Sequence, residues 1–109
     1  MIPPSPIITQ KVDEWELRRV FNEPNFRSDL MRRTRQAVET YCELAPPSAG
    51  QVEGAMSHVY DWYEYIEATD STRLLATVHC YKNPDGTIGA SGQPDPQVLV
   101  VGNVVLIDP

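Results

Sequence analysis

Three turn signals cut the C-terminal half of this chain into short β-forming runs. Val98-Leu99-Val100-Val101 and Val104-Val105-Leu106-Ile107 flank Gly102-Asn103, where glycine at the first central position suits a two-residue type II′ turn. Upstream, Asn83-Pro84-Asp85-Gly86 places proline second and glycine last, and Thr69-Asp70-Ser71-Thr72 separates an aromatic run from an aliphatic one. Runs joined by such tight turns pair with their neighbours, so this half is expected to be an antiparallel meander.

The N-terminal half reads differently. Residues 1–11 are rich in proline and form an arm, with Ile7 and Ile8 able to dock on the body. Asp13 is a helix N-cap with Glu16 three residues on, and Val12 with Leu17 supplies a hydrophobic staple. A first helix is expected over 14–23, ending at Pro24, with Leu17, Val20 and Phe21 on its apolar face and Trp15 at its edge. A second is expected over 26–44, capped by Asn25 or Ser28 and stopped by Pro46-Pro47. Leu30, Met31, Thr34, Ala37, Val38, Tyr41 and Cys42 recur at helical spacing along it. One feature sits badly with that helix: its arginines come early and its glutamates late, opposing the helix dipole. Helix stability does not explain that order.

Residues 45–57, with two prolines and two glycines, read as a loop, and 58–109 as sheet. A turn centred on Asp70-Ser71 pairs strand 58–67 with strand 74–82, setting Trp62 opposite His79, Glu64 opposite Thr77, Tyr60 opposite Tyr81 and Ile66 opposite Leu75. The other face, with Tyr63, Tyr65, Leu74, Ala76, Val78 and Cys80, is the more apolar and is expected to meet the helices; a slip of one residue would reverse this. A short strand at 87–90 pairs back on Tyr81 and Lys82, and residues 91–96 cross stiffly to the last hairpin. The expected fold is α+β: one domain over residues 1–109, with two N-terminal helices packed on one face of a four- to five-stranded antiparallel β-meander. This order, helices and then meander, resembles that of the small ribosome-dependent RNase toxins of bacterial toxin–antitoxin pairs.

Length and composition narrow the class. A chain of 109 residues, 41% of them apolar, has enough for one modest core. No run reaches the ~18 apolar residues of a membrane helix, and the start lacks the basic and apolar regions of a secretory signal, so a cytoplasmic location is expected. Cys42 and Cys80 are expected to be free thiols. The net charge of −6 is uneven. Residues 1–35 carry seven bases and five acids (+2), and residues 36–109 two bases and ten acids (−8). That disfavours a nucleic acid wrapped over the whole surface while leaving room for a local basic contact.

On the expected pairing, His79, Glu64 and Tyr81 share a strand face with Trp62 and Tyr60. A histidine, a carboxylate and a phenol suit acid–base work on a phosphodiester, and the aromatics suit stacking on a base or a peptide. The same groups equally suit a half-covered sheet face. Arg32, Arg33 and Arg35, with Arg18, Arg19 and Arg27, offer phosphate clamps or contacts to an acidic partner; as a solvated face they would pair with Glu14, Glu16, Glu23, Asp29 and Glu39. The glycines of residues 86–92 lack the Lys-Ser/Thr pair of a phosphate loop and read as turn residues. His58, His79, Cys42 and Cys80 contain no short-spaced pair, so no metal site and no cofactor is expected. Ser57 and His58, adjacent on a strand, point to opposite faces and form no relay.

The sequence favours a non-enzymatic interaction protein that acts through its apolar C-terminal hairpin and its arginine-bearing helix face, as a homodimer or with a protein partner. The alternative is a small nucleic-acid-processing enzyme, a toxin-like RNase, with His79, Glu64 and Tyr81 as its catalytic groups.

Overall fold

The computed structural model describes residues 8–89 and 94–108. The expected docking of Ile7, the end of the 87–90 strand and the start of the 91–96 crossover lie outside them. Two helices pack on one face of a six-stranded open sheet whose strand order is β1-β6-β5-β4-β3-β2. The strands are β1 (Ile8–Lys11), β2 (Gln36–Leu44), β3 (Met56–Ile66), β4 (Ser71–Lys82), β5 (Asp95–Val101) and β6 (Val104–Ile107); the helices are α1 (Glu14–Phe21) and α2 (Pro24–Arg33). Neighbouring strands are antiparallel except that β1 runs parallel to β6.

The α1 start is as its sequence signals: the Asp13 carboxylate accepts a hydrogen bond from the Glu16 backbone N–H at 2.8 Å, and Val12 packs on the cluster that contains Leu17. α2 is capped by Glu23, whose side chain accepts from the N–H groups of Asn25 and Phe26, in place of the expected Asn25 or Ser28. Pro24 therefore opens α2 at a position that needs no backbone donor, and α1 has already ended at Phe21.

The main correction concerns the helix expected over 26–44. α2 ends at Arg33, Thr34 turns extended (φ −66°, ψ 120°), and the Arg35 N–H donates to the Tyr63 carbonyl at 2.8 Å. From there the chain runs as β2 along the outer edge of β3. Val38, Thr40 and Tyr41 favour strand over helix, and β3 offers this segment a backbone ladder interrupted only at Thr40. The dipole conflict disappears with the shorter helix: Arg32 and Arg33 now occupy its last turn, where cations are favoured, and the glutamates are no longer helical. With β1 drawn from the arm, β2 brings the strand count to six. The 45–57 segment holds a 3₁₀ turn at Pro47–Ala49 and yields to β3 at Met56.

Two of the three turns form where the sequence places them, and the third forms earlier in the chain. Gly102 takes φ +62° between the paired Val101 and Val104, and Gly86 takes φ +89° while its N–H donates to the Asn83 carbonyl. Between β3 and β4 the reversal comes earlier than expected: Glu67–Thr69 is a 3₁₀ turn closed by Asp70 in the left-handed region (φ +46°). With an irregularity after Trp62, this slides the pairing so that Trp62 faces Ala76, Tyr60 faces Val78 and His58 faces Cys80. The predicted pairs Trp62–His79 and Tyr60–Tyr81 do not form. Tyr60 and Trp62 join Ala76 and Val78 on the helix-covered face, and His79 and Tyr81 turn to the other.

The core lies between the helices and the middle of the sheet. Leu17, Phe21, Leu30, Leu75, Ala76, Val78, Leu99 and Leu106 form its buried cluster. Phe21 meets Trp62 at a ring separation of 6.1 Å, and α1 lies chiefly over β5. Each fully buried Leu or Phe contributes roughly 1.5–3 kcal/mol. No helix among the described residues is long and apolar enough to cross a membrane.

Candidate functional site

Beyond the helices, the same sheet face continues across β2, β3 and the end of β4 and carries a compact set of polar side chains. Cys42 stands directly opposite His58, and His58 directly opposite Cys80, so the three form a row across adjacent strands. Two strand spacings, about 9.5 Å, separate Cys42 from Cys80, too far for a disulfide, and both are free. Glu39 is three residues before Cys42, which on a regular strand would put it on the opposite face. A bulge at Thr40 cancels that alternation: Glu39 pairs with Tyr60 and Tyr41 with Val59, leaving Thr40 as the extra residue. The bulge is what brings Glu39 and Cys42 to one face.

Around this bulge the side chains interlock. A Glu39 carboxylate oxygen contacts Nδ1 of His58 in a close hydrogen bond. The His58 and Tyr60 rings stack nearly parallel (9°) at 5.9 Å, and the Tyr60 hydroxyl lies 3.5 Å from His58 Nδ1. Lys82 Nζ donates to the Tyr60 hydroxyl at 3.0 Å and lies 5.3 Å from the centre of its ring. That hydrogen bond raises the Lys82 pKa, so the ammonium stays charged beside the phenol. One donor atom each from Glu39, Cys42 and His58 lie within 4.8 Å of one another. Glu39 and Cys42 are exposed and His58 half-buried, so the set is open to solvent on its β2 side.

The residues singled out by sequence fall into three groups. His79 and Tyr81 stay together, in an edge-to-face contact at 4.5 Å, on the face away from the helices. There His79 Nε2 lies 2.7 Å from the buried Ser57 hydroxyl, and burial pushes its pKa down, with Asp95 pulling partly against this. Glu64 is on the helix side, gripped by Arg33 (2.6 Å) and by Arg73 (2.7 Å). The sheet thus separates Glu64 from His79 and Tyr81. Trp62 is packed against Phe21, while Tyr60 belongs to the Glu39–His58 set.

Most of the arginines are engaged. Arg18 reaches Glu14 and Asp95, Arg19 pairs with Glu16, Arg27 lies 4.1 Å over the Phe21 ring, and Arg32 pairs with Asp29. Arg33 bridges Asp29 and Glu64. Arg35 donates to the Arg32 carbonyl at 2.9 Å, and among the described residues no carboxylate forms an ion pair with it. It stands immediately before β2, at the helix end of the edge that leads to Glu39.

Sequence reasoning missed the Glu39–Cys42–His58 grouping for two reasons. It read 36–44 as helical, and even a strand reading would have split Glu39 from Cys42, because no residue in Glu39-Thr40-Tyr41-Cys42 announces a bulge. Compared with protein-family models, curated proteins and solved structures, the chain matches none. What stands is a small α+β domain with a Glu/Cys/His cluster on an open sheet face and several arginine–carboxylate ion pairs.

Proposed function

We propose that the protein is a small RNA-processing enzyme that cleaves single-stranded RNA on the open face of β2, β3 and β4. The observation that supports this reading is the Glu39–His58 contact, with Tyr60 and Lys82 beside it. It is the combination of histidine, carboxylate and phenol foreseen for a sheet face, assembled from different residues. Glu39 holds the His58 proton on Nδ1 and leaves Nε2 as the basic nitrogen. His58 Nε2 takes the proton of a ribose 2′-hydroxyl, whose oxygen attacks the adjacent phosphorus. The P–O5′ bond breaks, and O5′ receives a proton from the Tyr60 hydroxyl. The products are a 2′,3′-cyclic phosphate and a 5′-hydroxyl, and solvent returns the proton from His58 to Tyr60. Lys82, charged and next to Tyr60, stabilises the phosphate oxygens as negative charge builds.

Arg35 supplies the upstream phosphate contact, about 13 Å along the strand from Glu39, while Arg32 and Arg33 on the end of α2 are each paired with a carboxylate. The acidic remainder of the domain restricts binding to this strip and keeps affinity modest, with a shallow salt dependence.

Purified protein incubated with labelled single-stranded RNA in a metal chelator tests the reading. Cleavage with a 2′,3′-cyclic terminus is expected, reduced about 10²–10⁴-fold in His58→Gln and in Glu39→Gln, as for general acid–base groups. Absence of cleavage, or cleavage that survives in His58→Gln, overturns it.

The outer face of the last hairpin supports an additional role in association. Val98, Val100, Val105 and Ile107 share the side away from the helices and are only partly covered. Light scattering at high micromolar concentration is expected to show a dimer through this face, and a pure monomer counts against it.

A further inference from the structure

We propose that Glu39, Cys42 and His58 form a binding site for a zinc-class divalent ion. Each contributes a different donor: a carboxylate oxygen, a thiol sulfur and an imidazole nitrogen, all within 4.8 Å of one another. Three ligands around one tetrahedral ion, at bond lengths of about 2.0–2.3 Å, require donor separations of roughly 3.3–3.8 Å. Small side-chain rotations therefore close the set on an ion without moving the backbone. The donor chemistry selects the metal. A thiolate with an imidazole suits zinc and cobalt, whereas magnesium and calcium demand an all-oxygen shell. Three protein ligands leave the fourth position to water or to a small anion.

The backbone supports this assignment independently of the side-chain distances. Cys42 and His58 are direct cross-strand partners, whose Cβ atoms approach to about 4.5–5.5 Å. Glu39 reaches them only because the Thr40 bulge brings it round to their face. A bulge leaves a backbone group out of the ladder, and such irregularities gather next to functional sites. Further round the cluster, Lys82 donates to Tyr60 and forms no ion pair with Glu39, although its charge still acts on that carboxylate. Exposure of Glu39 and Cys42 on the edge strand gives an ion a direct route in from solvent.

The ion would occupy the carboxylate and the imidazole that RNA cleavage uses. The inference thus deepens the proposed function, and in this one respect rests on it: the bound metal holds the enzyme inactive, and cleavage needs the metal-free form.

Cobalt titration of the reduced, metal-free protein tests the site without RNA. One equivalent is expected to give the visible d–d bands of tetrahedral cobalt and a thiolate-to-metal charge-transfer band, both bleached by one equivalent of zinc. Both are lost in Cys42→Ser and in His58→Gln and are retained in Cys80→Ala, with far-ultraviolet circular dichroism showing that each variant is folded. A folded wild type with no charge-transfer band overturns the site. So does a band that persists in Cys42→Ser or disappears in Cys80→Ala, since the thiol would then be the wrong one. Cleavage is read in chelator and coordination without RNA, so failure of one leaves the other standing. With cleavage established, an undiminished rate in the presence of one bound equivalent of zinc overturns the inhibitory role.

Discussion

At the scale of single residues, the arginines and carboxylates divide between packing and chemistry according to what they touch. Glu64 illustrates the packing role. It is only 16% exposed at its side chain, yet it accepts hydrogen bonds from Arg33 on α2 and Arg73 on β4, tying a helix end to the sheet. Burial pushes its pKa up, but the two guanidinium groups outweigh that and hold it below its ordinary value of 4.5. A folded-state pKa below the unfolded one contributes stability that is complete above the unfolded value and is lost as pH falls through the folded value. Wild type is therefore expected to lose stability below about pH 4.5 more steeply than Glu64→Gln. At neutral pH the same variant is expected to be less stable by about 1–3 kcal/mol, because both arginines lose their charged acceptor. Thermal unfolding across pH 3–7 checks both; parallel pH profiles for the two proteins would mean that the ion pairs contribute nothing.

Elements show where local sequence decides and where it yields. In the β5–β6 turn, Gly102 sits at φ +62° with open space around the position of a Cβ, so a side chain there meets backbone strain and not a clash. Gly102→Val is accordingly expected to destabilise the fold by about 1–3 kcal/mol, read from the thermal midpoint, with no other change in the structure. β2 behaves in the opposite way. Its nine residues carry a helical spacing of apolar groups, and all nine are exposed, so no buried stripe exists for that spacing to serve. Pairing with β3 settles its conformation. Deletion of Thr40 removes the extra residue and is expected to straighten the strand while Glu39 stays opposite Tyr60 and Cys42 opposite His58, two positions apart on one face, so that RNA cleavage and cobalt coordination persist with native circular dichroism. Loss of both activities in that folded variant would show that placing Glu39 and Cys42 on one face is not what assembles the site.

The whole molecule is an elongated slab of 53 × 28 × 23 Å, with its helices over one end of a sheet face and the polar cluster on the uncovered remainder. Its two edges are closed unequally. β1 caps β6 through parallel pairing, with the Ile8 N–H donating to the Asn103 carbonyl and the Val12 N–H to the Ile107 carbonyl. Among the described residues no strand pairs with the outer edge of β2. Removal of residues 1–11 uncovers the β6 ladder as well, and a second free edge beside exposed valines is expected to raise self-association, measured by light scattering at matched concentration. Unchanged association would show that β1 does not protect that edge.

Some of this architecture is determined within short stretches of sequence. The Asp13 cap, the Asn83–Gly86 and Gly102-Asn103 turns and the α+β division each depend on backbone preferences spanning a few residues, and each appears where those residues place it. Other features depend on partners distant in the chain. Residues 36–44 become a strand because β3 offers them a ladder while a helix there would bury no apolar face, and the order of arginines and glutamates, with Val38, Thr40 and Tyr41, was the sequence sign that the helix had to stop. The β3–β4 register turns on where one 3₁₀ turn closes. The earlier turn alone shifts the pairing by an even number of residues; the one-residue irregularity after Trp62 makes the offset odd, and since side chains alternate with period two, that moved His79 and Tyr81 away from Tyr60 and Trp62. Tertiary structure alone decided which carboxylate meets which histidine: the Thr40 bulge joins Glu39 to His58, and the sheet separates Glu64 from His79, through pairings between residues that no local preference links.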